Sequence, residues 1–214
     1  NLDKMDYQIT DYLEDNDVTD PNRLKAWEEF QERINELKAS GIELTQTQID
    51  KLQAEFELQK LYDQYEDARN NKSTMRLKRD ASGNWSYTYS RDRATESRED
   101  IAQKIKDQEK ALHDFDMQIL NEAQEAYKNT SDAFREYLTQ VDWDQYDHNE
   151  NYRAQVDRQI AYYTSTLNYY ADQVQQECEI TNTAFEDTVL GQVTGFSTMS
   201  ELHKTFTTEF ENLQ

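Results

Sequence analysis

Glycine and proline, the residues that most readily end a helix, are scarce in this chain, which has four Gly and one Pro in 214 residues. Hydrophobic residues make up 36% and charged residues 31% of the sequence. This balance is typical of long helices that each bury only one stripe of apolar side chains. The fourteen Tyr and eight Phe argue against disorder. We therefore expect an extended, ordered and mainly α protein.

Apolar periodicity divides the chain into segments that predict long helical hairpins and coiled-coil segments, with one β-hairpin inserted between two helices. In order, the segments are a short helix or tail at 1–20, two helices at 21–72, the β-hairpin at 73–91, a long helix at 92–141, a coiled-coil helix at 148–190 and the start of a further helix at 198–214. The chain begins without Met and stops within a helical pattern at Gln214. We therefore expect that it was cut from a longer protein at both ends.

Capping signals predict where the first long helices begin and end. Asp20 followed by Pro21 indicates a helix start, with an N-cap and Pro at the first helical position. Gly41 is expected to end that helix. Thr45 and Gln48 fit a capping box for the next helix. The apolar residues of this second helix spread over more than one stripe, so we expect it to contact two neighbours.

The segment at 148–190 has the strictest periodicity in the chain. Its apolar residues alternate four and three residues apart, which is the spacing of a coiled-coil seam. The seam residues are Val156, Ile160, Tyr163, Leu167, Tyr170 and Val174. Gly191 and Gly195 predict the end of this helix. Two uses of the seam remain open, namely packing between helices of one chain and contact between copies of a homo-oligomer.

Two polar runs interrupt the helical patterns. Residues 129–132, Asn-Thr-Ser-Asp, are a candidate break in the long helix. Residues 142–149 are rich in Asp and predict a turn between two antiparallel helices.

Residues 69–98 differ in charge from the rest of the chain. They contain eight Lys or Arg against three Asp or Glu, whereas the whole chain has a formal net charge of −21. That negative balance argues against nucleic-acid binding as the main task, because affinity for DNA comes largely from basic residues that neutralise phosphates. It also disfavours binding to an anionic membrane surface. No apolar run approaches the ~20 residues that a membrane span needs.

Within this basic stretch, residues 75–80 and 85–90 alternate in polarity and predict a β-hairpin. Asp80 and Gly83 suit a type I turn followed by a bulge glycine. The resulting register pairs Met75 with Tyr89, Arg76 with Thr88, Leu77 with Tyr87, Lys78 with Ser86 and Arg79 with Trp85. One face of the hairpin is then apolar and aromatic, and the other is basic and polar.

A two-stranded hairpin is marginally stable in water, so its aromatic face needs a surface to pack on. Three interpretations are open. The hairpin is a structural cap over the helices, a docking knob whose basic face binds an acidic surface, or, least favoured, a direct contact to DNA. The candidate docking residues are Arg76, Lys78, Arg79, Trp85, Tyr87 and Tyr89.

No catalytic constellation is visible in the sequence, so we do not expect an enzyme. Residues 15–26 begin like a calcium loop, but Asp20 and Ala26 stand where Gly and Glu are required. None of the three histidines has a second His or Cys at ligand spacing, and four Gly leave no glycine-rich phosphate loop. We therefore predict no catalytic residue, no metal ion and no cofactor. The single cysteine excludes an internal disulfide.

The hairpin sequence resembles an insert found in tail tape-measure and related virion proteins of bacteriophages. The shared outline is a basic strand, then Asp-x-x-Gly-Asn, then a strand of alternating aromatics, here at residues 75–89. The resemblance implies a long helical protein that sets the length of the tail tube, supports tail assembly and leaves as DNA is ejected. It also implies that the partners are other copies of this chain and other virion or tail proteins. The expected location is the virion tail, and the host cytoplasm during assembly.

The chain departs from that family in lacking the strongly hydrophobic segments and the lytic domain that many tape-measure proteins carry. The alternative hypothesis is a coiled-coil spacer or adaptor protein in a bacterial complex, with the β-hairpin as its docking tip.

Overall fold

The computed structural model describes residues 1–16, 18, 20–70, 74–90 and 97–214, with side chains described outside residues 70, 74–78 and 87–90. In this part of the chain there are eight α-helices and one pair of β-strands, so the prediction of a mainly α protein is confirmed. The elements are α1 (Leu2–Asp15), α2 (Pro21–Ser40), α3 (Gln46–Asn70), β1 (Thr74–Arg79), β2 (Trp85–Ser90), α4 (Arg98–Gln140), α5 (Trp143–His148), α6 (Glu150–Thr181), a short 3-10 helix (Phe185–Asp187), α7 (Val189–Thr194) and α8 (Met199–Asn212).

The elements form two compact units, which we call unit 1 (Asn1–Leu112) and unit 2 (His113–Gln214). Unit 1 contains α1, α2, α3, the β-hairpin and the first part of α4. Unit 2 contains the rest of α4 and all later elements. Each unit has its own cluster of buried apolar residues. In the described residues no helix has both the length and the apolar character that a membrane span requires.

The predicted caps of unit 1 are confirmed. The Asp20 side chain accepts hydrogen bonds from the backbone N–H groups of Asn22 and Arg23, at 2.9 and 3.1 Å, and so caps α2. Gly41 follows α2 with a φ of 65°, a conformation that favours glycine. At the start of α3, Thr45 and Gln48 exchange side-chain to backbone hydrogen bonds of 2.9 and 3.2 Å, which completes the capping box.

The core of unit 1 lies between α1, α2 and α3. Its largest member is Trp27 of α2, which is completely buried. The Trp27 ring lies 5.0 Å from that of Tyr12 and 5.5 Å from that of Phe56, between ring centroids. Each of these aromatic contacts adds on the order of 1 kcal/mol to the effect of burial alone. The other buried members of the cluster are Met5, Ile9, Val18, Phe30, Ile34 and Leu52.

Helix α3 contacts two neighbours, as its spread of apolar residues predicts. On one side, Leu52 and Phe56 belong to the core shared with α1 and α2. On another side, the Gln108 amide of α4 donates a hydrogen bond of 3.0 Å to the backbone oxygen of Ala54. The Tyr62 hydroxyl donates to Glu109 of α4 at 2.8 Å.

The core of unit 2 lies between α4, α6 and α8, and it contains the seam of α6. Leu167 and Val174 are buried members of this core, and Ile160, Tyr163 and Tyr170 pack against it. Val156 is also buried. Facing side chains come from α4 and α8 and include Leu120, Tyr127, Phe134, Leu138, Leu202 and Phe210. The seam residues therefore pack within one chain.

The helix that carries the seam ends earlier than predicted. α6 stops at Thr181, and the predicted ends at Gly191 and Gly195 are wrong. Asn182 adopts the left-handed conformation, with a φ of 53°, and the N–H of Thr183 donates to the backbone oxygen of Cys178 at 2.9 Å. This is the hydrogen-bond pattern of a glycine-type helix end, which Asn can also form.

The two predicted stop glycines belong to α7 instead. A side chain on Gly191 would place its first carbon 2.0 Å from the backbone oxygen of Phe185, so only glycine fits between α7 and the 3-10 helix. Gly195 follows α7 with a φ of 76°. One glycine thus permits a close approach of two backbones, and the other ends a short helix.

Both polar runs contain helix, which corrects the predicted break at 129–132 and the predicted simple turn at 142–149. Residues 129–132 lie within α4, which continues without a break because Tyr127, Ser131 and Phe134 are buried there. The run at 142–149 contains α5 (Trp143–His148) between its two caps, and the Asp142 side chain accepts a hydrogen bond of 3.0 Å from the N–H of Gln145. Tertiary packing in the first case and a local cap in the second outweigh turn propensity.

The packing of unit 2 predicts the effect of shortening one seam residue. We expect Leu167→Ala to lower the free energy of unfolding by about 2–5 kcal/mol, because the substitution leaves a cavity in a closed core. Urea denaturation followed by circular dichroism measures this loss. Tyr162→Ala is the control on the same helix, and since Tyr162 is 62% exposed the expected change is within about 0.5 kcal/mol.

A loss that grows as the protein is diluted would contradict this prediction. It would mean that the seam is covered by a second copy and not by α4 and α8 of the same chain.

Candidate functional site

The β-hairpin has the predicted register. β1 and β2 are antiparallel, and their paired residues are Thr74 with Ser90, Met75 with Tyr89, Arg76 with Thr88, Leu77 with Tyr87, Lys78 with Ser86 and Arg79 with Trp85. The turn fixes this register. In a hairpin, the pairing of β1 with β2 can shift by a residue only if the length or type of the connecting turn changes.

The turn is held by four hydrogen bonds to one residue. Asp80 Oδ1 accepts from the N–H groups of Ser82 and Asn84 at 2.9 and 2.8 Å. The Asp80 N–H donates to the oxygen of Asn84, and its oxygen accepts from the N–H of Gly83, both at 3.0 Å. Gly83 has a φ of 85°, as a bulge glycine requires. The turn is therefore a closed, preorganised loop.

At the end of the strands, the turn presents a cation and an aromatic ring together. The guanidinium carbon of Arg79 lies 5.6 Å from the centroid of the Trp85 ring, within the range of a cation–π contact. Arg79 Nε also donates to the oxygen of Gly83 at 3.4 Å. Trp85 nevertheless leaves 62% of its surface exposed. We call Arg79, Trp85 and the turn between them the hairpin tip.

The structure brings together two of the six predicted docking residues, Arg79 and Trp85. For Arg76, Lys78, Tyr87 and Tyr89 it gives the backbone pairing, while their side chains lie outside the described part of the chain. Trp85 is 62% exposed, so the described residues of one chain leave most of its ring uncovered, and packing of the aromatic face on another subunit stays a prediction.

Unit 1 contains a buried carboxyl group that was not predicted from the sequence. Asp63 is 2% exposed, and its Oδ2 accepts hydrogen bonds from Trp27 Nε1 and the Tyr12 hydroxyl, at 2.8 and 2.9 Å. Burial raises the pKa of Asp63, and these two hydrogen bonds oppose that rise. The group thus joins α3 to α1 and α2. The sequence contains one indication of this burial. Asp63 follows Phe56 by seven residues, or two helical turns, and therefore lies on the same face of α3 as a core residue.

A second polar cluster joins three helices of unit 2. His203 Nδ1 lies 2.9 Å from the hydroxyl of Tyr127, and His203 Nε2 lies 2.7 Å from Oδ1 of Asn168. Because an amide oxygen only accepts, the assigned arrangement places the proton of neutral His203 on Nε2 and lets Tyr127 donate to Nδ1. Burial lowers the pKa of His203, and the negative charge of Asp172 opposes this effect. No sequence pattern links three residues so far apart.

The chemistry of these clusters is that of structural polar contacts. Each supplies a buried aromatic residue with the hydrogen-bond partner that its polar atom needs. Among the described residues no group of three or more His, Cys, Asp or Glu side chains could hold a metal ion. The hairpin tip, in contrast, places a cation and a mostly exposed aromatic ring side by side.

The chain matches no protein-family model, and no curated protein or solved structure is significantly similar to it. Its function must therefore be inferred from its own residues.

The His203 cluster predicts a pH dependence of stability. The folded state lowers the pKa of His203 below its usual value of about 6.5. At a pH between the pKa of His203 in the folded state and its pKa in the unfolded state, the unfolded chain therefore binds more protons than the folded one. The free energy of unfolding therefore falls as the pH decreases through that window. We expect wild type to lose more stability than His203→Gln between about pH 7.5 and 5.5, as measured by urea denaturation.

The control is His113→Gln, which removes an exposed histidine of the same unit and is expected to follow wild type. If the curves of His203→Gln and wild type run parallel, the neutral form of His203 is not favoured by the fold.

Proposed function

We propose that the chain is a structural protein, in which helical units form a scaffold and the hairpin tip binds another protein. The observation that carries this proposal is the exposed indole of Trp85 beside the guanidinium of Arg79. Trp and Arg are enriched among the residues that dominate protein–protein binding energies. An aromatic ring left 62% exposed contributes little to the stability of its own fold.

The geometry of the turn supports binding. Asp80 fixes the backbone through its hydrogen bonds to Ser82 and Asn84. A loop that is ordered before binding loses less conformational entropy when a partner arrives. The tip therefore offers a rigid aromatic anchor on a preorganised support.

The same geometry supports a partner with both apolar and acidic groups. Arg79 has five N–H donors, and within the described residues its Nε contacts the oxygen of Gly83. The remaining donors can pair with a carboxylate of the partner while the Trp85 ring enters an apolar depression.

For the biological setting we propose the tail of a bacteriophage. The support is the resemblance of residues 75–89 to the hairpin insert of tape-measure and related virion proteins. In that setting the chain is a segment of a tape-measure protein, which sets tube length and supports tail assembly and DNA ejection. The mainly α fold is compatible with such a ruler.

The test of this setting is the length and location of the natural protein. We expect a parent chain of many hundreds of residues whose peptides are found by mass spectrometry in purified tail particles. A complete natural chain of about this length, missing from tails, would overturn the tape-measure proposal. It would favour the second candidate, an adaptor or spacer protein in a bacterial complex, which the exposed Trp85 supports equally well.

The role of the tip predicts that binding and stability respond separately to one substitution. We expect Trp85→Ser to change the free energy of unfolding by no more than about 0.5 kcal/mol, because the ring is mostly exposed. The same variant is expected to lose at least about tenfold in incorporation into assembled particles, as for loss of a binding hot spot. Quantitative mass spectrometry of purified particles measures the second effect.

The matched control is Tyr162→Ser, since Tyr162 is an aromatic residue with the same 62% exposure on α6. If Trp85→Ser melts at a much lower temperature, the ring is a structural cap. Normal incorporation of a normally stable Trp85→Ser protein would rule out the docking role.

A further inference from the structure

We infer that the hairpin tip of one copy binds a groove in unit 2 of a second copy of this chain. This inference rests on the proposed function, because it names the partner of the same tip. The two surfaces are different, so each copy has one tip and one groove to offer. Contacts of this heterologous kind build rings or open chains of subunits.

The groove lies where α6 ends, the 3-10 helix follows and α8 begins. It has a volume of about 740 Å³. Phe185 and Met199 line it and are themselves buried, with exposures of 7% and 4%, so they form an apolar floor. Glu179 and Glu186 line it as exposed residues. The groove thus combines an apolar floor with a carboxylate rim.

This combination matches the chemistry of the hairpin tip. The indole of Trp85 can replace water over the floor of Phe185 and Met199. The guanidinium of Arg79 can form charge-assisted hydrogen bonds with Glu179 or Glu186. A tip with only the indole would leave the carboxylates of the rim without a cation, and a tip with only the guanidinium would leave the apolar floor exposed to water.

The carboxylates of the rim are available for such a partner. In the described part of the chain neither Glu179 nor Glu186 forms an ion pair. The thiol of Cys178 also lines the groove. Burial raises the pKa of Cys178, and the nearby charges of Glu177 and Glu179 raise it further. The thiol therefore remains neutral and adds to the apolar lining.

The two surfaces also come from segments of the sequence that differ in net charge. Residues 69–98, which include the tip, have eight basic and three acidic residues. Residues 113–214, which include the groove, have 19 acidic and five basic residues. At physiological salt, attraction between these segments acts at short range, and the repulsion between two copies of net charge −21 is screened. Every copy of the chain carries both segments, so a second copy offers the acidic surface that the basic segment needs.

The test begins with sedimentation velocity of the 214-residue chain at increasing concentration. We expect the average mass to rise above the 25.5 kDa of one copy at about 0.15 M salt, which screens the long-range repulsion between two chains of net charge −21. Two variants address the two surfaces. The tip variant is Arg79→Glu with Trp85→Ser, and the groove variant is Glu179→Lys with Glu186→Lys. Each is expected to weaken self-association at least tenfold.

The decisive measurement mixes the two variants. Each alone is expected to be a monomer, but the tip variant keeps an intact groove and the groove variant keeps an intact tip. The mixture is therefore expected to form a 1:1 complex and no larger species. Because all four positions are exposed, both variants should melt like wild type at concentrations low enough for wild type to be a monomer. Glu125→Lys with Glu136→Lys, which makes the same charge change on exposed positions of α4, is expected to associate like wild type.

The inference is overturned if wild type remains a monomer at every concentration, if the groove variant associates like wild type, or if the mixture forms no complex. These failures are distinguishable from failure of the proposed function. A monomeric wild type whose Trp85→Ser variant is still lost from particles would retain the docking tip and exclude the second copy as its partner.

Discussion

A completely buried aromatic side chain with one polar atom lies at the centre of each compact unit. In unit 1 this is Trp27, whose Nε1–H donates to Asp63, and in unit 2 it is Tyr127, whose hydroxyl contacts His203. A buried donor without a partner costs on the order of 1–3 kcal/mol. In a chain with only 36% hydrophobic residues, each core thus contains a large ring that can be buried at low cost only beside the polar residue that satisfies it.

These polar contacts also determine which helices meet. Hydrophobic stripes are non-directional and tolerate sliding, whereas a hydrogen bond between buried groups allows only one arrangement. Asp63 can accept hydrogen bonds from both Trp27 and Tyr12 only if α1, α2 and α3 pack in a fixed position along their axes. In unit 2, His203 likewise joins α8 to Tyr127 of α4 and Asn168 of α6.

Features that are determined by neighbouring residues in the sequence could be predicted from the sequence. Asp20 with Pro21 predicted the start of α2, and the spacing of Asp80 and Gly83 predicted the register of the hairpin. Features that depend on distant residues were not predictable in this way. Gly191 looks like a helix end until Phe185 is known to lie against it, and nothing in the sequence connects His203 with its partners. The exposure of Trp85 could not be predicted either. Alternation of polar and apolar residues predicts which side chains share a face of the hairpin, but it does not predict whether another element covers that face.

The exposure of Trp85 is not explained by packing within the chain. Trp27 fills a core, whereas Trp85 lies mostly in solvent on a two-stranded hairpin, which is a marginal element by itself. The tightly bonded Asp80 turn keeps this ring and Arg79 in place although neither is buried. Covering the ring and neutralising the cation against a partner surface, as proposed above, would add free energy that burial within the chain does not provide. The proposed docking role therefore predicts that the hairpin is more stable in a complex than in the single chain.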